Sequence, residues 1–135
     1  MDSSAKTLFR VVAADQWKLA AVSGLVPRCP ADEREDRIHL NERKDVERVA
    51  DLWFSPEEQP LALEVDVSAM PSDIRWEPRA REPFETWPNL HAPNIRVEQV
   101  LAVHRLEIDE ATGRFRMEAS GAEGPVGTPA TSAGR

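Results

Sequence analysis

Three histidines and one Arg-Trp-Glu-Pro segment are the residues of this 135-residue chain whose types invite chemistry. His39 stands between Ile38 and Leu40, so in an extended segment its ring projects opposite two apolar neighbours. It reads as a strand histidine satisfied by a backbone partner or as a ring facing a ligand. His91 follows Trp87-Pro88-Asn89-Leu90 in proline-rich sequence, where packing demands are weaker and a polar ligand contact is easier to accommodate. His104 falls on the apolar side of an alternating run and reads as structural. Arg75-Trp76-Glu77-Pro78 places a cation, a stacking surface and a carboxylate in one short piece. Alternation sends Arg75 and Glu77 to one face and Trp76 to the other, which suits either a buried tryptophan beside a surface ion pair or a carboxylate and a guanidinium orienting a polar ligand.

Other chemistries find less support. The histidines are far apart, with no HExxH or HxxEH on a helix, so no metal site is expected. There is no GxSxG, and Ser23, Ser55, Ser68 and Ser72 read as turn or capping residues. Asp32, Glu33, Glu35 and Asp36 could do acid/base work only if partly buried, and a charge run this dense reads as solvated. Cys29 is the only cysteine, which rules out an intramolecular disulfide and fits a reducing compartment; it is given no role.

The elements that must position these residues follow from periodicity. Thr7 to Ala13 alternates as a strand, and Trp17, Ala20 and Ala21 then recur at helical spacing until Gly24 ends the helix in a left-handed conformation. After Pro27 and Pro30 comes the short extended piece Arg37 to Leu40. Val46, Val49, Ala50 and Trp53 mark the apolar face of a helix between Asn41 and Phe54, with Asn41 as its N-cap. Ser55-Pro56 stops it, Leu61 to Val67 alternates as a half-buried strand, and a turn at Met70-Pro71-Ser72 leads to an extended piece at 74–78. Prolines 78, 83, 88 and 93 predict an irregular loop over 79–94, anchored by Phe84 and Trp87. A final strand is expected from Val100 to Ile108. Beyond Ala111 the composition turns to Gly, Ala, Pro, Ser and Thr, which predicts a single domain over 5–110 and a flexible tail over 111–135.

The fold class is therefore α+β with two main helices, and neither a phosphate-binding glycine loop nor a dinucleotide fingerprint is present. A net charge of −7 and a pI near 5.0 argue against a non-specific grip on nucleic acid. No apolar stretch approaches a membrane span or a signal peptide, so the expected address is the cytoplasm, with no membrane partner.

These residues together resemble the domain of unknown function 952 family from Leu8 to about Ile108. Leu8-Phe9-Arg10-Val11 resembles its opening Ile-Tyr-Lys-Ile strand, and Trp17 its first-helix tryptophan. Asp36-Arg37-Ile38-His39-Leu40-Asn41 resembles Gly-Phe-Ile-His-Leu-Ser. Val65-Asp66 with Ile74-Arg75-Trp76-Glu77 is close to its Val-Asp and Leu-Arg-Trp-Glu segments, and Pro88-Asn89-Leu90-His91-Ala92-Pro93 to its Pro-His-Leu-Tyr-Gly-Pro loop. The resemblance implies a small split-sheet fold of the ADP-ribosyltransferase-like group, whose members hold NAD in a cleft between two sheets. It implies His39 and Arg10 as dinucleotide contacts, Trp76 or Trp87 near them, and Glu77 as a stabiliser of a ribosyl cation. The chain departs from the pattern at Phe9, Asn41, Asn89 and His91. Asn89, where the family has histidine, keeps a hydrogen bond but cannot carry a proton. The expectation is accordingly a binding domain for a nucleotide or other small anionic ligand, contacted by Arg10, His39, Arg75, Trp76, Asn89 and His91. The alternatives are an active NAD-dependent ADP-ribosyl-type transferase using Glu77 and His39, and a protein-interaction module.

Overall fold

The computed structural model describes residues 7–68, 73–79 and 82–118, with side chains described for all of these but 79 and 82–85. Two sheets carry the fold. The first has the order β1-β4-β8-β9, from Thr7–Val12, Leu61–Asp66, Val100–Asp109 and Arg114–Met117. The second has the order β3-β6-β5, from Ile38–His39, Glu82–Leu90 and Ile74–Arg79. Every pairing is antiparallel, including the small ribbon of β2 (Leu25–Val26) with β7 (Ile95–Arg96). A bridge between Phe9 and Asn41, closed by two backbone hydrogen bonds of 2.7 and 2.8 Å, joins the sheets edge to edge into one curled surface.

Three helices complete the α+β architecture: α1 (Ala14–Ser23), α2 (Pro30–Glu35) and α3 (Val46–Trp53). None of the helices among the described residues is long and apolar enough to cross a membrane. Gly24 ends α1 at φ 84°, its N–H returning to the Ala20 carbonyl. One face of the curled sheet packs Leu8, Val12, Leu63, Val65, Ile38 and Leu90 against α1 and the β2–β7 ribbon through Ala20, Val26 and Ile95. The other face packs Phe9, Val11, Ala62, Leu106 and Phe115 against Val46 and Ala50 of α3. Because β1 is covered on both faces, Arg10, which shares a side with Leu8 and Val12, is buried.

Several expectations are corrected. The predicted loop over 79–94 is mostly strand, β6, and the prolines fit for positional reasons. Pro78 lies on the edge strand β5, and the missing N–H of Pro88 falls where the two-residue ladder with β3 ends, its carbonyl still accepting from Leu40 N at 3.0 Å. Asn41 bridges to Phe9 rather than capping a helix; a 3₁₀ turn at Arg43–Asp45 leads into α3. Residues 114–117, placed in the expected tail, are strand: Arg114–Met117 pair with Leu106–Asp109. Trp53, assigned to the buried face of α3, is exposed. The turn at 70–72 and residues 119–135 lie outside the described residues, as does the Phe84 side chain.

Candidate functional site

Cys29, Pro30 and Asp32 start α2, with proline in its first turn and the Asp32 carboxylate reaching back to the Cys29 N–H at 3.1 Å. The same carboxylate faces the edge of β3 where β1 has pulled away from it. Oδ1 accepts from the His39 N–H at 3.1 Å, and Arg10 Nη1 donates to the His39 carbonyl at 2.8 Å. The ion pair of Arg10 Nη2 with Asp32 Oδ2 therefore completes backbone hydrogen bonding that a strand would otherwise supply. Asp32 is fully buried, so the reading of the charge run as wholly solvated is overturned at this residue.

From Asp32 a chain of polar contacts runs outward. His39 Nδ1 lies 2.8 Å from Asp32 Oδ1 and Nε2 lies 3.1 Å from Glu35 Oε1. Arg37 bridges Glu35 Oε1 at 3.0 Å and Glu77 Oε1 at 3.4 Å. Glu77 Oε1 also accepts from Asn89 Nδ2 at 2.8 Å and contacts His91 Nε2 at 3.0 Å. The strand register explains the convergence: His39, Asn89 and Arg75 are cross-strand partners in one row, and Glu77 pairs with Trp87 in the next.

All three carboxylates are held below the usual range. Burial opposes ionisation of Asp32, but the His39 hydrogen bond, the Arg10 charge and the Cys29 amide outweigh it. Burial likewise opposes ionisation of Glu35 and is outweighed by His39 and Arg37, while Glu77 is lowered chiefly by His91, with Asn89 and Arg37 adding to this against a smaller burial cost. At neutral pH they serve as fixed acceptors, not as proton donors. Among the described residues, no three histidine, cysteine or acidic side chains are grouped to hold a metal ion.

The structure thus brings together His39, Glu77, Asn89 and His91, and adds Asp32, Glu35 and Arg37. Arg10 joins them differently from the expectation: its guanidinium is taken up by Asp32 and the His39 carbonyl inside the protein, so it offers no open cation for a phosphate. Arg75 is exposed on the row of His39 and Asn89, with no ion pair among the described residues. Trp76, 43% exposed, is on the opposite face, pairing across with Pro88. His39 is held by carboxylates at its ring, and His104 pairs with Glu64 at 2.9 Å within the sheet, away from this network. Pro30 and Asp32 carry a signal of the helix start: a proline and an acid at the first and third positions place a carboxylate that turns back to the N-cap amide, though its burial depends on Arg10.

A family model described as protein of unknown function (DUF952) matches residues 11–103. The chain belongs to the DUF952 family. Its fold is similar to that of protein CC0527 from Caulobacter crescentus, whose crystal structure is 20% identical, with a TM-score of 0.66 over 82% of this chain and 93% of that one. The solution NMR structure of CC0527 gives 21% identity and a TM-score of 0.68, covering 82% and 91% of the two chains. At that identity the likeness is one of fold. No curated protein matches this DUF952 chain.

Proposed function

We propose that the domain is a binding module for a nucleotide or other small anionic molecule, held over the β3-β6-β5 face in an ADP-ribosyltransferase-like cleft, with NAD as one candidate. The observation that carries this reading is the unbroken run of contacts from Asp32 through His39, Glu35, Arg37 and Glu77 to His91, beside an exposed Arg75. Ionised carboxylates hold both histidines and Arg37 in place, and Arg75 adds a cation on the same face with no carboxylate of its own among the described residues. Arg75 binds the anionic group, and His39 and His91 supply hydrogen bonds to the rest of the ligand. Asn89, committed through its amide to Glu77, holds that carboxylate still but moves no proton, which favours binding over turnover.

Calorimetric titration with inorganic phosphate, AMP and NAD tests this. Saturable binding of a nucleotide is expected, weakened about tenfold or more, ~1.4 kcal/mol, by Arg75→Ala. Failure of all three to saturate sinks the proposal. One observation favours ADP-ribosyl transfer as the second reading: Glu77 is held ionised, the state in which a carboxylate stabilises a ribosyl cation. Release of nicotinamide from NAD, lost in Glu77→Gln, would establish that instead.

A further inference from the structure

We propose that Asp32 is a positioning residue that fixes which ring nitrogen of His39 exchanges its proton, so that Nδ1 stays protonated and Nε2 is the nitrogen that works on a ligand. The inference rests on the preceding reading only in giving His39 a ligand.

Two carboxylates face the ring from α2, Asp32 at Nδ1 and Glu35 at Nε2. A carboxylate accepts and cannot donate, so only the doubly protonated ring satisfies both contacts, and on losing one proton His39 must give up one of them. The two partners are unequal. Asp32 has a fully buried side chain and is pinned by Arg10 from β1, by the Cys29 N–H and by the His39 N–H. If Nδ1 lost its hydrogen, its lone pair would face an Asp32 oxygen 2.8 Å away that these bonds keep from turning aside. The Glu35 side chain is 41% exposed and also bound by Arg37, so it can turn to solvent when Nε2 loses its hydrogen. The proton therefore leaves from and returns to Nε2, and Nδ1–H remains on Asp32. Asn89, across the strand pair, donates its Nδ2 to Glu77 and makes no hydrogen bond to the ring. A buried carboxylate fixing a histidine tautomer in this way is the arrangement that lets a ring act as an acceptor at its far nitrogen.

Long-range proton–nitrogen NMR of the full chain, labelled in histidine and followed through the titration of His39, reads the tautomer directly. The neutral ring is expected to carry its hydrogen on Nδ1, the reverse of what an unrestrained imidazole favours. Glu35→Gln should leave that assignment unchanged. Asp32→Asn should reverse it: the amide oxygen is drawn to Arg10 and the Cys29 N–H, and the amide nitrogen then faces the ring at the cost of the His39 N–H bond, leaving the ring as the partner able to turn from donor to acceptor. A neutral ring protonated at Nε2 in the wild type overturns the proposal, as does a tautomer unchanged in folded Asp32→Asn. If that variant does not fold, the wild-type and Glu35→Gln spectra still decide. Nδ1–H without binding of phosphate, AMP or NAD would sustain this inference while removing the proposed function.

Discussion

At the scale of single residues, the consequential feature is a charge pair, Arg10 with Asp32, buried where two strands part. Such a pair contributes little over an apolar replacement, but removing one member leaves the other as an uncompensated buried charge. Asp32→Ala is therefore expected to cost about 3–5 kcal/mol, read from the urea midpoint. Exposed Glu33→Ala serves as the control and should shift stability within about 0.5 kcal/mol. Acid sensitivity follows from the same residues. Asp32, Glu35 and Glu77 have folded-state pKa values depressed below their unfolded values, so the unfolded chain takes up protons first as pH falls. Their contribution is complete above the ordinary carboxylate range and is lost as pH falls through that range, from roughly pH 5 downwards, towards the folded values. Urea unfolding at a series of pH values should show a steep loss in this window for the wild type and a shallower one for Asp32→Asn. Equal slopes would show that the buried carboxylate is not the source.

At the scale of elements, periodicity revealed β1, β4 and β8 because alternation survives wherever one sheet face differs from the other. It missed β6 because prolines five residues apart signal a loop to any local rule, whereas the edge position of β5 makes Pro78 tolerable and the brevity of β3 makes Pro88 so. His39 and Glu77 were legible from residue type and extended context. Asp32, Glu35 and Arg37 were not, since burial within a charge run depends on Arg10, a residue 22 positions away from Asp32. The strand β9 was hidden for a similar reason. Its four residues lie where glycine and alanine begin to dominate, and α3 holds them: Asp51 Oδ1 accepts from the Phe115 N–H at 2.8 Å and Glu47 Oε2 from the Met117 N–H at 2.9 Å. These carboxylates also occupy amides that an edge strand would otherwise present to another chain. Asp51→Ala leaves one of them without its partner and should cost about 1–3 kcal/mol. Hydrogen exchange at the Phe115 amide should rise first in that variant, ahead of amides in β4, if the helix is what secures the edge.

At the scale of the whole molecule, the apolar cluster beneath both sheets decides whether the chain behaves as one unit or two. Apart from the Phe9–Asn41 bridge, the four-stranded and three-stranded sheets share no ladder among the described residues, yet this cluster runs beneath both, from Leu63 and Val65 to Leu40 and Leu90. Leu40 is completely buried and sits between His39 and Asn41, so its side chain anchors the segment that carries both the candidate site and the bridge. Cavity formation at a site like this costs about 2–5 kcal/mol for Leu→Ala. Because the core is shared, the loss should fall on global unfolding and not on the three-stranded sheet alone. Leu40→Ala should lower the melting temperature while fluorescence of Trp87, in β6, read in a chain whose Trp17, Trp53 and Trp76 are replaced by phenylalanine, and circular dichroism of the whole chain still report coincident transitions. Leu63→Ala, in the four-stranded sheet, should do the same. If Leu40→Ala instead separates the two transitions, with the tryptophan signal melting first, then the candidate site rides on a sheet that opens independently. A ligand bound there would raise only the earlier transition, whereas in a single cooperative unit it raises both together.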